Sequence, residues 1–122
     1  MRIIFFASAV TAASIVSGCA TTPVPNYQPI STKEQYMTSV AGSSINLGDK
    51  SSTTTHSDGT MTGNAGDRKI IGTWSWEDGL FCREGKIGDE DLKRDCQKME
   101  IAGDQLRITR GDGSIGLFTL KQ

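Results

Sequence analysis

Met99-Glu100-Ile101-Ala102-Gly103-Asp104-Gln105-Leu106-Arg107-Ile108 is the stretch that decides the fold. Apolar residues alternate on both sides of Gly103-Asp104, a dipeptide suited to a two-residue hairpin turn. Such a turn sets Ile101 against Leu106 and Met99 against Ile108 on one face. The same register sets Glu100 against Arg107 on the other, a favourable opposite-charge pair. A slip of one residue would destroy both patterns, so the segment reads as a half-buried antiparallel hairpin.

The pattern continues through the rest of the C-terminal part. From Ser44 onward the chain runs in short alternating stretches punctuated by glycine, and all three prolines lie earlier, at Pro23, Pro25 and Pro29. Ser57-Asp58-Gly59 suits a three-residue loop ending in a left-handed glycine. Glu77-Asp78-Gly79 allows two registers. A three-residue loop sets Trp76 against Leu80 and Trp74 against Cys82, whereas a two-residue turn at Asp78-Gly79 sets Trp76 against Phe81 and Trp74 against Arg83. The first is favoured because it packs an indole against Cys82. Ile115 to Leu120 is apolar on both faces and should lie between two neighbours. The expected fold is mainly β: a small antiparallel barrel or sandwich of about six to eight short strands, with one short N-terminal helix and one disulfide.

The helix is placed by two overlapping capping boxes, Ser31-x-x-Glu34 and Thr32-x-x-Gln35. It should stop at Gly42 and plug one end of the core with Tyr36, Met37 and Val40. The preceding proline-bearing stretch reads as a stiff spacer. Further upstream, Met1-Arg2 and an apolar run from Ile3 to Val16 lead into Val16-Ser17-Gly18-Cys19. The run has signal-peptide length and is too short to span a bilayer. The organisation expected is a removed leader over 1–18, a lipidated Cys19 and spacer over 19–30, and one domain over 31–122.

With Cys19 acylated, Cys82 and Cys96 remain as a pair in an oxidising compartment. Closing a loop of that length contributes about 3 kcal/mol in the chain-entropy model. With His56 the only histidine, the two cysteines make a poor zinc set, and there is no C-x-x-C. The 13 basic and 14 acidic residues leave no basic stripe for nucleic acid. The run from Asp89 to Asp95 is mixed in sign and expected to be a solvated loop or helical turn. Lys93 falls where a calcium loop needs an oxygen.

No catalytic set is evident. His56 sits at a hairpin shoulder among hydroxyl residues, and there is no G-x-S-x-G, H-E-x-x-H or phosphate loop. Arg110-Gly111-Asp112 is read as turn chemistry, although the same tripeptide is recognised by some adhesion receptors. Trp74 and Trp76 share a face and are expected in the core, or else as the wall of a pocket for a small apolar ligand with Arg83 or Arg107 at its mouth.

Val16-Ser17-Gly18-Cys19 resembles the lipobox of bacterial prolipoproteins. That likeness implies attachment to a cell-envelope membrane through acyl chains on Cys19, and Ala20 in the next position points to the outer membrane. Ser57 to Gly63, Gly72 to Gly79, Cys82 and Asp95-Cys96 resemble short exported β domains of alphaproteobacteria. Those features belong to the fold and imply no activity. Gly72-Thr73-Trp74 also occurs in avidin-like barrels, whose polar ligand-binding pattern is not matched. The expected function is a non-enzymatic envelope lipoprotein without cofactor, acting through contacts with an envelope protein partner in an accessory, inhibitory or structural role. The alternative is a small apolar-ligand barrel built on Trp74 and Trp76.

Overall fold

The computed structural model describes residues 24–122. The expected leader over 1–18, Cys19 and residues 20–23 lie outside the described residues. Strand β1 (Gln28–Ile30) precedes helix α1 (Lys33–Ser39). Eight strands follow in chain order: β2 (Ser44–Gly48), β3 (Ser51–Thr55), β4 (Thr60–Ala65), β5 (Arg68–Glu77), β6 (Leu80–Ile87), β7 (Glu90–Ala102), β8 (Gln105–Thr109) and β9 (Ile115–Lys121). Each pairs antiparallel with the next, and β9 returns to β2 through Ile45↔Leu120. The result is a closed eight-stranded up-and-down barrel. Closure leaves no free edge on the main sheet and places alternate residues of every strand inside.

The Gly103-Asp104 hairpin has the expected register: Ile101↔Leu106, Glu100↔Arg107 and Met99↔Ile108. The first hairpin also matches, with His56 N donating to Thr60 O at 2.8 Å across a three-residue loop and Gly59 left-handed at φ 90°. The middle hairpin corrects the favoured expectation. Its turn is the two-residue Asp78-Gly79, with both residues left-handed (φ 51° and 78°), which matches the twist of the flanking strands. The pairs are therefore Trp76↔Phe81 and Trp74↔Arg83. Phe81 and Arg83 consequently face inward, and Cys82 faces outward.

Cys82 stands directly opposite Cys96 with Cα atoms 4.0 Å apart, and the two form the disulfide. It lies on the outer face beside the Glu77–Arg94 ion pair. No indole covers it, contrary to the expected packing. The run from Asp89 to Asp95 is also corrected, because most of it is the first half of β7. Between Arg83↔Asp95 and Gly85↔Leu92 the register shifts by one residue. This bulge turns both Leu92 and Asp95 to the inner face and breaks the alternation that would mark a strand.

One end of the barrel is stoppered. Thr32 caps α1, its side chain accepting from Gln35 N while Gln35 Oε1 accepts from Thr32 N. The helix lays Tyr36 and Val40, both fully buried, across the opening. Met37 packs half-buried beside them. The Tyr36 ring lies 5.0 Å from Trp74, 5.4 Å from Trp76 and 5.2 Å from Phe81. Such pairs contribute about 0.5–1.5 kcal/mol each beyond the area they bury. Each polar tip has a partner: Tyr36 OH meets Thr55 Oγ1 at 2.6 Å, Trp74 Nε1 donates to His56 O, and Trp76 Nε1 to Ser31 O. Burial pushes the Tyr36 phenol far above its usual range. The last residues of the expected spacer also belong to this body, since β1 pairs with β7 and Ile30 is buried in the core.

Candidate functional site

The other end of the barrel carries the hairpin loops β2–β3, β4–β5, β6–β7 and β8–β9, with no helix across them among the described residues. Between this end and the aromatic stopper lies a cavity of about 280 Å³. Its apolar wall includes Ile45, Leu47, Met61, Ile70, Phe81, Met99, Ile108 and Phe118, and its polar lining is Thr53, Thr55, Arg83, Gln97 and Arg110. Eight strands give an interior just wide enough to be filled by side chains or to hold one small ligand. Here the backbone curvature decides against filling. Gly72 and Gly85 are cross-strand partners on the inner face, where β5 and β6 bend closely together. A Cβ at Gly72 would collide with the carbonyl oxygen of Glu84, and one at Gly85 with that of Ile71. Neither position can contribute a side chain to the interior.

Arg83 and Arg110 bring positive charge into this apolar space. Arg83 donates from Nη1 to Lys93 O at 2.7 Å, and Arg110 from Nη1 to Ser114 Oγ at 3.3 Å. The Arg110 guanidinium also lies over the Phe118 ring at 6.0 Å and crowds the side of Gly116 where a Cβ would stand. Neither arginine forms an ion pair among the described residues. Two acids stand nearby: Asp95, whose carboxylate is engaged by Gln97 Nε2 at 2.9 Å and Gly111 N at 3.1 Å, and the exposed Asp112, which lies in the field of Arg110. Burial draws the Arg83 guanidinium below its ordinary value; Asp95 opposes that shift and the charge of Arg110 adds to it. Among the described residues the cavity lining therefore holds two cations and no acid, in a mostly apolar pocket that opens at one end.

The residues singled out in the sequence divide between the two ends and the outer wall. Trp74 is 6% exposed and packs in the stopper, and Trp76 is half-buried beside it; neither lines the cavity. They lie in the core, the first of the two expectations, and the alternative of a pocket wall is corrected because the helix takes up that face. Arg83 lines the cavity, whose wall holds no tryptophan. Arg107 does not. It lies on the outer face, donating to Glu100 at 2.7 and 2.9 Å and stacked under Tyr27 at 4.4 Å. This follows from the hairpin register itself, which faces Arg107 away from Ile108. Glu100 is held below the usual carboxylate range by its hydrogen bonds to that guanidinium.

His56 keeps to the hairpin shoulder, with Nε2 2.7 Å from Thr62 Oγ1. The Arg110-Gly111-Asp112 tripeptide is a turn whose arginine enters the barrel while Asp112 accepts from Ser114 N. Arg110 was missed as a site residue because of that turn reading. A signal existed, since Arg110 continues the inward alternation of Leu106 and Ile108. Glu77, Cys82 and Cys96 cluster closely enough to suggest metal ligands, but both sulfurs are used in the disulfide. No protein-family model, curated protein or solved structure matches the chain.

Proposed function

We propose that this chain is a small-ligand-binding barrel, held at a bacterial cell envelope by lipid on Cys19. The observation that carries the reading is the 280 Å³ cavity with its apolar wall and convergent Arg83, Gln97 and Arg110. Binding sites are commonly concave, mostly apolar and set with a few polar groups that orient the occupant. This one stands at the small end of their range. The stopper removes any need for the open end to hold the fold together, which leaves that end free to admit a ligand.

A native mass spectrum of the chain, extracted gently from its own host, tests the reading. The expected result is acylated protein carrying an additional small mass that leaves on denaturation. Acylated protein that never carries such a mass, in any growth phase, would count against it.

A second reading, action through protein contacts, draws support from the outer face of β9. Ile115 and Leu117 are 61% and 64% exposed there on one side of the strand. Crosslinking from this strand to one defined envelope protein, lost in Leu117→Asp, would support that role. Unchanged crosslinking in the variant would remove it.

A further inference from the structure

Resting on the ligand-barrel reading, we infer that the occupant is a monocarboxylate with a short apolar body, its carboxylate held between Arg83 and Arg110. Both guanidiniums line the cavity, and neither has a carboxylate partner among the described residues. A guanidinium presents five donors in a planar fork that matches a carboxylate. Each of these two is shown spending one donor, on Lys93 O and on Ser114 Oγ. Neither nearby acid lines the cavity: Asp95 has both oxygens engaged by Gln97 and Gly111, and Asp112, beside Arg110, is exposed and accepts from Ser114 N. The lining therefore presents positive charge without a negative partner of its own, and a single carboxylate between the two guanidiniums answers it. A dianion such as a phosphate monoester would add excess negative charge beside Asp95 and Asp112.

The wall sets the rest of the molecule. Met61, Ile70, Met99 and Ile108 offer no hydrogen bond from their side chains, so the body they enclose is hydrocarbon. A volume of 280 Å³ equals about nine waters at their share of the liquid. This matches an acid of eight carbons or so and excludes a long-chain membrane lipid from entering whole.

Octanoate and 1-octanol are the probes that decide. They would be titrated calorimetrically into the chain purified from its host and held in lipid nanodiscs, with empty nanodiscs as the reference. Octanoate should bind one to one and at least about tenfold more tightly than 1-octanol. Arg83→Gln and Arg110→Gln should each weaken octanoate about tenfold, the usual effect of losing a hydrogen bond to a charged group, and leave 1-octanol unchanged. Arg107→Gln, on the outer face, should alter neither.

The near-ultraviolet circular dichroism of the buried indoles reports whether a variant is folded. Arg110, at a loop, is the safer substitution should Arg83→Gln unfold. If 1-octanol binds as tightly as octanoate, or the folded arginine variants bind octanoate normally, the carboxylate assignment falls while the ligand-barrel reading stands. If neither probe binds above the empty-disc reference, the assignment falls too. The co-purified mass then decides the broader reading separately.

Discussion

The two ends of this barrel are built from different materials. At one end Tyr36 touches the rings of Trp74, Trp76 and Phe81 under α1, Trp74 stacks with Phe81, and the indole and phenol groups all have partners. At the other, the strands run on to hairpin loops around a cavity, with two arginines in its lining and Leu47 and Phe118 only partly covered. Large aromatic side chains supply much of the burial energy of a small domain, and here Tyr36, Trp74 and Trp76 lie where no ligand enters, with Phe81 reaching from the stopper to the cavity wall. A cavity weakens the packing around it, and here it is set away from Tyr36 and the two indoles. Separating the two lets a domain this small keep both a core and a hollow.

Substitutions can break that comparison. Trp74→Ala, which empties a buried indole site in the stopper, should cost about 3–5 kcal/mol and leave the domain partly or wholly unfolded in denaturant titrations. Leu47→Ala at the open end should cost less than about 1 kcal/mol yet still weaken ligand binding. Equal losses of stability at the two sites would end the division of labour.

Removing the disulfide as Cys82→Ala with Cys96→Ala should cost about 3 kcal/mol. Binding in the folded fraction should be untouched, because the bond lies on the outer face, away from the cavity. Calorimetry on the folded double variant checks this, and impaired binding would mean that the outer wall controls the cavity.

Much of the fold was legible wherever both faces of a strand carried information. In the Gly103-Asp104 hairpin, apolar pairing and the Glu100–Arg107 pair demanded the same register. The tryptophan hairpin lacked that double constraint. Leu80 and Cys82 could face inward as plausibly as Phe81, and the left-handed backbone at Asp78 decided the matter. From Glu90 to Asp95 the charges concealed a strand because the bulge opposite Glu84 interrupts its period. The cavity was least legible of all. It is space left by backbone curvature at Gly72 and Gly85, and the cation near its rim stands in a tripeptide that reads as an ordinary turn.

Smaller effects sharpen the picture. Thr53→Ile, which puts more hydrocarbon in the cavity but gives up the Thr53 Oγ1 bond to Thr62 O, should change stability by less than about 0.5 kcal/mol while reducing binding of 1-octanol. Thermal melts and the same titration measure both. Undiminished binding would place the ligand elsewhere.

The smallest effect concerns pH. The folded-state pKa of Glu100 is depressed by Arg107, so its contribution to stability is present above the ordinary carboxylate value of about 4.3 and is lost as pH falls through the lower folded value. In Glu100→Gln, denaturation midpoints should therefore fall less steeply on acidification than in the natural chain. Parallel pH profiles would show that the pair adds nothing.

The division between the ends is tested most directly by nuclear magnetic resonance of the isotopically labelled chain during titration with 1-octanol. The account predicts shifts confined to the lining of the cavity, at Leu47, Met61, Met99, Ile108 and Phe118, with the signals of Tyr36, Val40 and the Trp76 indole unmoved. Shifts centred on the stopper, or spread evenly along the outer wall, would contradict it.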